Sequence, residues 1–391
     1  MIAFLQILSV FLWFILSPSG TSRFISVPLD HREPRGKQIT ISYTLFQPYE
    51  EQKETILLLD DLVDNYFQQS MELRKLANEF NLVQIKGRHQ SKVLLNTLRA
   101  TGETDWSKAY QLLNVDQHVR DLERVRKALP GDQPVHLVGF SGAAAYLHYY
   151  LSLYPEKVSS LISFNPLLLD LQKNLNFRDP APCPEAQANR FWFGYLWHAH
   201  AERLCPDTGD TDDFPFYAFL QWGFLVPGLW ENRDDDVALK VRLFEHSYDL
   251  LANRLNDQPP SIAAAWMKQE SQPIWKELEQ ASFFSVHGVD YDKGRLFEGK
   301  VLIVGAAHDK LLSRYCYDVL AEFYPQSSLM LLRDGHALGK LRATGLQREL
   351  IRSFLLEDNQ EKIGVYAKSS ISDVKASLLL GTSSTDILLI P

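Results

Sequence analysis

A single strand–turn–helix segment restricts most strongly what this chain can fold into. The segment 135–138 has the pattern of a short buried strand, and it is followed by Gly139-Phe140-Ser141-Gly142-Ala143 and then by helical spacing over 144–154. A serine on a sharp turn between a strand and a helix forms a nucleophile elbow, which presents its hydroxyl at the carboxyl edge of a sheet. Residues two before and two after that serine must be small, because strand and helix cross closely there. A serine-glycine loop in another α/β fold has the same local pattern. The residues elsewhere in the chain are therefore needed to distinguish a nucleophile elbow from such a loop.

Apolar runs of strand length alternate with helical periodicities on both sides of this segment. Such alternation predicts an α/β fold in which a mostly parallel central sheet is flanked by helices on both faces. The predicted strands are 24–27, 38–46, 55–59, 82–85, 135–138, 157–164, 300–305 and 328–332. The predicted helices are 64–80, 115–129, 144–154, 313–323 and 338–355.

The periodicity changes in the middle of the chain. Residues 167–298 are rich in Trp, Phe, Tyr, Pro and acidic residues, and they show helical segments with few strand signals. We therefore predict an α/β core in two parts, 23–164 and 299–357, interrupted by an inserted helical lid over 165–298. The tail 358–391 is rich in Ser, Thr and Lys and ends in apolar residues, and no role is assigned to it.

Two later loops carry the partners that a nucleophilic serine needs. The predicted strand 301–304 is followed by Asp309, and the predicted strand 329–332 is followed by His336. A serine needs a base to remove its proton, and the base needs a carboxylate to fix its tautomer. The order serine, acid, histidine is that of an α/β-hydrolase triad. We therefore assign Ser141 as nucleophile, His336 as general base and acid, and Asp309 as the residue that orients His336.

Three other residues near these loops are weaker candidates. His308 is adjacent to Asp309, but a strand-end loop directs only one of the two inward, and an exposed loop position suits His308. Asp334 is close to His336 in sequence and suits a turn. Asp318 falls on a predicted helix, where a solvated position is expected.

The stabilisation of an oxyanion requires two donors. The backbone amide of Gly142 at the start of the predicted helix is the first candidate, and the amide of Leu62, after the strand 55–59, is the second. Asp60 and Asp61 precede Leu62, and Asp64 follows it closely. Nearby carboxylates destabilise an oxyanion by charge repulsion unless they point away from it or bind a cation. The alternative for these aspartates is capping of the helix that begins near 64.

Composition and charge narrow the classes of partner. The chain has 391 residues and a formal net charge of -8, and it contains no long basic run, so nucleic acid is not an expected partner. The three cysteines do not have the spacing of a zinc site, and neither a metal nor an organic cofactor is implied. Cys183 and Cys205 can form a disulfide if the chain is exported, or stay unpaired in a loop-rich region. Cys316 suits a buried thiol.

The amino terminus suggests export. Residues 2–16 form a nearly continuous apolar stretch, and small residues follow over 17–22. This pattern is typical of a signal peptide, although no Lys or Arg precedes the apolar core. An uncleaved amino-terminal anchor over 1–22 is the competing interpretation, with membrane association through 2–16. The expected location is therefore secreted or in the cell envelope, periplasmic or extracellular.

Several motifs together resemble one known superfamily. They are Val27-Pro28-Leu29-Asp30-His31, the elbow 139–143, Tyr154-Pro155-Glu156-Lys157-Val158, the segment 301–309 and Asp334-Gly335-His336. Gly87-Arg88 with Ser91 is similar to a degraded form of an Arg-Gly-x-Gly-x-Ser turn. Over 24–164 and 299–356 the chain resembles the α/β-hydrolase superfamily, and within it the serine aminopeptidases related to prolyl iminopeptidase and tripeptidyl aminopeptidase.

The resemblance implies a substrate site and also shows one departure. In that group, acidic residues of the lid bind the free amino terminus of the substrate, and Glu231, after Trp230, is similar to such a position. Asp60, Asp61 or the run 234–236 can take that role instead, and a solvated loop is the alternative for 234–236. The group's His-Gly-Gly-Pro-Gly stretch is absent, and Asp60-Asp61-Leu62 stands in its place.

The leading functional expectation is an exported serine hydrolase that cleaves short peptides through an acyl-enzyme on Ser141. A carboxylic ester hydrolase or lipase is the alternative on the same fold, with the aromatic-rich lid binding an apolar acyl chain. A non-catalytic binding protein is the third hypothesis, because the glycine-rich oxyanion loop is absent.

Overall fold

The computed structural model describes residues 20–356 with gaps, together with two short segments of the tail, 377–380 and 387–388. The gaps are 60–66, 68–69, 100–101, 130–132, 168, 170–236, 253–266, 279–290, 307–313, 333–335, 337, 339–340 and 342–345. The apolar amino-terminal stretch 2–16 lies outside the described residues. Among the helices within them, none is both long and apolar enough to cross a membrane.

Ten strands form one sheet in the order β1-β2-β4-β3-β5-β6-β7-β8-β9-β10. The six strands from β4 to β8 along this order are parallel, whereas the pairs at both ends are antiparallel. The strands are β1 Thr21–Pro28, β2 Gln38–Leu45, β3 Thr55–Leu59, β4 Asn81–Lys86, β5 Val135–Phe140, β6 Val158–Phe164, β7 Lys300–Ala306, β8 Ser327–Leu332, β9 Ser377–Leu380 and β10 Ile387–Leu388. The mostly parallel sheet expected from the sequence is confirmed.

The tail contributes to the sheet, which the sequence had not indicated. β9 pairs with β8 in antiparallel register, with Met330 opposite Leu378, and β10 pairs with β9. The apolar residues at the end of the chain are of the kind that strands contain. The core sheet of eight strands is thereby extended to ten.

Helices connect the parallel strands. Side-chain caps start several of them: Asp105 accepts a hydrogen bond from the Lys108 amide, and Asn114 accepts one from the Gln117 amide. Such caps satisfy amides that have no partner inside the helix. The helices are α1 Met71–Arg74, α2 Lys92–Leu98, α3 Trp106–Leu113, α4 Val115–Ala128, α5 Ser141–Leu153, α6 Val237–Ala252, α7 Gln272–Leu278, α8 Tyr291–Gly294, α9 Arg314–Phe323 and α10 Leu346–Leu356.

Both faces of the sheet are buried, so its central strands are apolar on both sides. Alternate residues of one strand enter opposite cores, as Leu57 and Leu59 do on one face and Ile56 and Leu58 on the other. Helices α1 and α10 supply the smaller core, and most of the other helices contribute to the larger one. This two-sided packing holds the carboxyl ends of the parallel strands at one edge of the sheet.

The described parts of 165–298 beyond β6 include helices α6, α7 and α8. Two glutamates of this region bind amides at the amino termini of core helices. Glu245 accepts from the Val115 amide at 2.9 Å, and Glu277 accepts from the Trp106 and Ser107 amides at 3.2 and 2.8 Å. A carboxylate is stabilised at a helix amino terminus by the amides and by the helix dipole. These contacts attach α6 and α7 to the core, while a lid role for 165–298 stays a prediction.

The opening motif of the chain takes part in a buried network. Arg88 donates to both carboxylate oxygens of Asp121, at 2.8 and 2.7 Å, and also to the carbonyl oxygens of Pro28, Leu29 and Leu112. His31 Nε2 lies 2.7 Å from Asp121 Oδ1. The side chains of Arg88 and Asp121 are almost fully buried. This set holds the turn after β1 and the loop after β4 against α4, so its residues are bound into the architecture of the fold.

Candidate active site

The backbone at Ser141 is strained. Strand β5 ends at Phe140 and helix α5 begins at Ser141, whose φ is 55°. That value lies in the left-handed region, which an L residue occupies at a cost, and such strain is concentrated at functional sites. The apolar run before the turn fixes the strand, and the helix after it fixes the direction in which the chain must leave. The turn between them therefore has the geometry of an elbow.

Close packing at the elbow depends on Gly139. A Cβ atom there would lie 2.7 Å from Leu147 Cδ1 and 2.9 Å from the Ala144 Cα. Both distances are shorter than the contacts that real Cβ atoms make. The Ala144 Cα belongs to the helix backbone and cannot move aside as the end of a side chain can, so only glycine fits at 139. Ala143, two residues after the serine, is also fully buried. Strand and helix thus cross as closely as the sequence pattern required.

Ser141 and His336 are brought together across the sheet edge. Ser141 Oγ lies 2.9 Å from His336 Nε2, which is within hydrogen-bond distance. The two residues are 6% and 9% exposed, so the pair is largely shielded from bulk water. The Phe140 ring packs against the His336 ring with centroids 5.5 Å apart. A neutral imidazole in this position can accept the serine proton.

Strained residues collect at this edge of the sheet. Among the described residues, the non-glycine residues with positive φ are Ser141 at 55°, Asn165 at 43° and Leu338 at 49°. They follow β5, β6 and β8 in turn, and Leu338 comes two residues after His336. A bulky leucine in that conformation is a genuine outlier. Three residues with positive φ therefore lie in the segments that follow β5, β6 and β8, close in sequence to the hydrogen-bonded Ser141 and His336 or bonded to them.

Asn165 is a site residue that the sequence analysis did not identify. Its side-chain amide donates to the His336 carbonyl oxygen at 2.6 Å, and its carbonyl oxygen accepts from the Ala306 amide at 2.8 Å and the Tyr317 hydroxyl at 3.1 Å. Its side chain is fully buried. The signal in the sequence was an Asn-Pro pair directly after a predicted strand, at the edge where the serine and histidine emerge.

Gly142 occupies the position expected for an oxyanion donor. It follows Ser141 in the first turn of α5 and is buried. Phe140, at the N-cap of α5, makes no side-chain capping hydrogen bond. The amino terminus of this helix of 13 residues carries partial positive charge and suits a developing anion.

The remaining predicted site residues lie outside the described part of the chain. They are Asp309, Leu62, Asp60, Asp61, Glu231, Cys183 and Cys205. Their roles stay predictions. The described chain does place Ala306, the last residue of β7, in direct contact with Asn165, so the loop that carries Asp309 starts beside the serine and histidine. Cys316 is buried on α9 and forms no disulfide within the described residues, which agrees with the buried thiol expected on a helix.

Burial shifts the pKa of two further groups, Glu245 and His148. Burial raises the pKa of Glu245 to about 7, against the hydrogen bonds from Tyr146 and the Val115 amide and against the charge of Arg242. Burial lowers the pKa of His148 to about 3. His148 is held neutral between the Tyr324 hydroxyl at 2.6 Å and the Ser163 hydroxyl at 2.8 Å. Within the described ranges, no group of three or more His, Cys, Asp or Glu residues is arranged to hold a metal ion.

One family model matches the chain. Residues 66–199 match the family described as alpha/beta hydrolase fold. The strand order, the parallel centre of the sheet and this match show that the chain has the α/β-hydrolase fold, as the sequence predicted. No curated protein matches the chain in sequence.

Solved structures of low sequence identity also match. A membrane phospholipase A described as a bacterial virulence factor shares 14% identity, with 91% of this chain and 97% of that chain covered and a TM-score of 0.45. A probable hydrolytic enzyme from Pseudomonas aeruginosa PAO1 shares 14% identity, with 87% and 95% covered and a TM-score of 0.44. A thioesterase domain from the curacin biosynthetic pathway shares 14% identity, with 84% and 99% covered and a TM-score of 0.41.

Proposed function

We propose that this chain is a serine hydrolase that cleaves an amide or ester bond through an acyl-enzyme on Ser141. The observation that carries the proposal is the 2.9 Å distance between Ser141 Oγ and His336 Nε2, with the serine on a strained strand–helix turn. A serine hydroxyl is a weak nucleophile until a base removes its proton, and a nucleophile and base within hydrogen-bond reach form the diagnostic arrangement.

The proposed reaction uses the pair twice. His336 Nε2 takes the Ser141 proton as Oγ attacks the carbonyl carbon, and the resulting oxyanion is stabilised by the Gly142 amide at the start of α5. His336 then gives the proton to the leaving amine or alcohol. Water, deprotonated by His336, then attacks the acyl-enzyme; as the bond to Ser141 Oγ breaks and the acid leaves, His336 returns the proton to Oγ. Asp309 is the proposed partner of His336 Nδ1, and the Leu62 amide is the proposed second oxyanion donor.

The substrate class has two candidates. Cleavage of short peptides with a free amino terminus is the first, with Glu231, Asp60 or Asp61 as the proposed carboxylate that binds the amino group. The opening motif 27–31 supported this choice in the sequence, but its described contacts hold the turn after β1 against α4. The support for a peptidase is therefore no greater than that for a carboxylic ester hydrolase or lipase.

A substrate panel tests both candidates. Amino-acid anilides with free and with blocked amino groups are compared with short and long p-nitrophenyl acyl esters, using wild type and Ser141→Ala. A peptidase hydrolyses the anilides with a free amino group and not the blocked ones, whereas an esterase hydrolyses the acyl esters and leaves both kinds of anilide intact. Ser152→Ala is the matched control, since Ser152 is also a buried serine of α5 but donates to the Tyr149 carbonyl oxygen. Turnover that survives Ser141→Ala contradicts the proposal, and absence of turnover in folded protein favours a binding protein.

Residues 1–22 are proposed to direct export, either as a cleaved signal peptide or as an anchor that associates with a membrane through 2–16. The apolar stretch and the small residues after it support this. Amino-terminal sequencing of the protein recovered from the cell envelope and from the medium distinguishes the two. Full-length protein found only in the cytosol contradicts both.

A further inference from the structure

We propose that Asn165 is a positioning residue that sets the place of His336 relative to Ser141. The inference rests on the serine-hydrolase function proposed above. It assigns a role to a residue that contacts neither the serine hydroxyl nor the imidazole in the described hydrogen bonds. Its effect on the reaction passes through the backbone of the two reacting residues.

The side chain of Asn165 joins three separate parts of the sheet edge. Its Nδ2 donates to the His336 carbonyl oxygen at 2.6 Å, while its Oδ1 accepts from the Ala306 amide and the Tyr317 hydroxyl. These partners lie in the loop after β8, at the end of β7 and on α9. Because one side of the amide must donate and the other must accept, the orientation of the side chain is fixed by its neighbours.

The backbone of the same turn holds the serine. The Leu167 amide donates to the Ser141 carbonyl oxygen at 3.1 Å, and the Asn165 amide donates to the Val304 carbonyl oxygen at 2.8 Å. The turn 165–167 thus contacts the backbone of the nucleophile through one residue and the backbone of the base through another. A shift of this turn changes the distance between Ser141 Oγ and His336 Nε2.

Asparagine suits this position for two independent reasons. Its φ of 43° lies in the left-handed region, which Asn and Asp tolerate better than most residues. The site also needs a donor and an acceptor on one short side chain. Aspartate supplies the conformation and the acceptor but not the donor when it is ionised, and glycine supplies only the conformation.

Tyr317 supports the amide from below. A Cβ atom at Gly305 would lie 2.6 Å from a carbon of the Tyr317 ring, so the ring occupies the space that a side chain at 305 would need. Tyr317 is fully buried, and its hydroxyl reaches Asn165 Oδ1. Packing of the ring against Gly305 therefore fixes the Tyr317 hydroxyl in the place from which it donates to Asn165 Oδ1.

The chain offers a matched control in Asn81. This asparagine is 4% exposed, and its side chain also bonds to backbone groups: it donates to the Glu50 and Lys53 carbonyl oxygens and accepts from the Glu50 amide. It lies at the start of β4, at the amino edge of the parallel strands. Asn81→Asp removes a buried donor of the same kind at a place remote from Ser141.

The kinetic test compares Asn165→Asp with Asn81→Asp in hydrolysis of p-nitrophenyl butyrate by the full chain. A small misplacement of reacting groups costs about 100-fold in rate. We expect kcat of Asn165→Asp to fall by about this factor while KM changes little, and kcat of folded Asn81→Asp to stay near wild type. Equal falls in kcat for the two variants, or a change confined to KM in Asn165→Asp, would overturn the inference.

A pH series adds a readout that a general loss of stability does not produce. Burial raises the pKa of a carboxyl introduced at 165, and its protonated form can again donate to the His336 carbonyl oxygen. The described titratable residues bonded to that position are Tyr317, through its hydroxyl, and His336, through its carbonyl oxygen. We expect the ratio of kcat for Asn165→Asp to kcat for wild type to rise as the pH falls. A ratio that stays constant or falls contradicts the assigned donor.

A second readout does not depend on turnover. Selective carbon-13 labelling of histidine gives an imidazole signal for His336, identified by its loss in His336→Gln. This signal should shift in Asn165→Asp and remain in place in Asn81→Asp, and an unshifted signal overturns the inference even if no substrate is found. If Asn165→Asp fails to fold, Tyr317→Phe serves instead, with a smaller shift and a loss in kcat of a few fold expected. If the wild-type protein shows no turnover but the His336 signal shifts in Asn165→Asp, the result counts against the proposed function and not against the positioning role.

Discussion

Polar side chains are buried in two regions of this molecule, and they are held in different ways. Between the sheet and α4, Arg88 and Asp121 make a two-point ion pair, and further bonds to carbonyl oxygens use the remaining guanidinium donors. At the carboxyl edge, Ser141 and His336 share one hydrogen bond and the backbone around them is strained. A buried polar network in which every hydrogen-bond donor has an acceptor is typical of a structural role. Backbone strain around a serine–histidine hydrogen bond is typical of a reactive site.

The comparison also bears on what the opening motif 27–31 indicates. In the sequence resemblance, the elbow 139–143 is specific to the superfamily, whereas the opening motif 27–31 points more weakly to secreted exopeptidases. Within the described contacts, His31 bonds to Asp121 and Gln117, and Asp30 bonds to Gln117 and Arg32, and none of these bonds involves Ser141 or His336. A motif shared with peptidases can therefore report a common way of holding the fold rather than a common substrate.

The largest expected effect on stability comes from Arg88. Arg88→Met leaves the buried Asp121 carboxylate without its ion-pair partner, and such a loss costs about 3–5 kcal/mol. Arg32→Met is the matched control, because Arg32 pairs with Asp30 at an exposed position, where the cost is about 1 kcal/mol or less. Urea unfolding measures both. A folded Arg88→Met protein with greatly reduced kcat would break the distinction between the two regions.

Glu245 predicts a dependence of stability on pH. Burial raises its folded-state pKa to about 7, above the usual 4.5, so the folded state holds its proton more tightly than the unfolded chain. The free energy of unfolding should therefore fall as the pH rises through this window, by up to about 3 kcal/mol in total. Glu245→Gln should lack this fall, and urea unfolding between pH 4.5 and pH 8 measures the difference.

Two further observations sharpen that prediction. The groups that face Glu245 are the hydroxyl of Tyr146, the charge of Arg242 and the Val115 amide, all of which lower its pKa. Tyr146→Phe removes one of them, so the loss of stability should then extend to higher pH than in wild type. A parallel pH dependence in wild type and Glu245→Gln would show that another group is responsible.

The smallest expected effect concerns strain at the elbow. Glycine adopts a φ of 55° without the penalty of an L residue, which is about 1–2 kcal/mol. Ser141→Gly should therefore be more stable than Ser141→Ala by about 1 kcal/mol, after allowance for the flexibility that glycine adds to the unfolded chain. Both variants should lack turnover. Equal thermal midpoints for the two would mean that the strain at Ser141 stores little energy.

Much of the fold was predictable because local patterns determine it. The apolar run of β3 is nearly continuous in the sequence, β5, β6, β7 and β8 are short segments rich in apolar residues, and the periodicity of α4 is strong. The proximity of Ser141 and His336 was predictable because the carboxyl ends of parallel strands lie at one edge of the sheet. Asn165 was missed because its partners, His336, Ala306 and Tyr317, are far away in the sequence and none carries a local signal.

The tail and the Arg88 network were missed for the same reason. The apolar residues of β9 were visible, but nothing local indicated that they pair with β8 at the edge of the sheet. Arg88 was identified only as part of a degraded turn, whereas its partners come from β1, the turn after it, α3 and α4. Long-range pairing of polar groups is decided by the assembled fold, which local periodicity does not encode.

The most direct test of the central claim is labelling with a fluorophosphonate, which reacts only with an activated serine. Mass spectrometry of the labelled, folded protein identifies the modified residue, with Ser141→Ala, His336→Gln and Ser152→Ala alongside wild type. The account predicts one adduct on Ser141 in wild type and Ser152→Ala, and no labelling in Ser141→Ala or His336→Gln. An adduct on another residue, or absence of labelling in folded wild type, would contradict it.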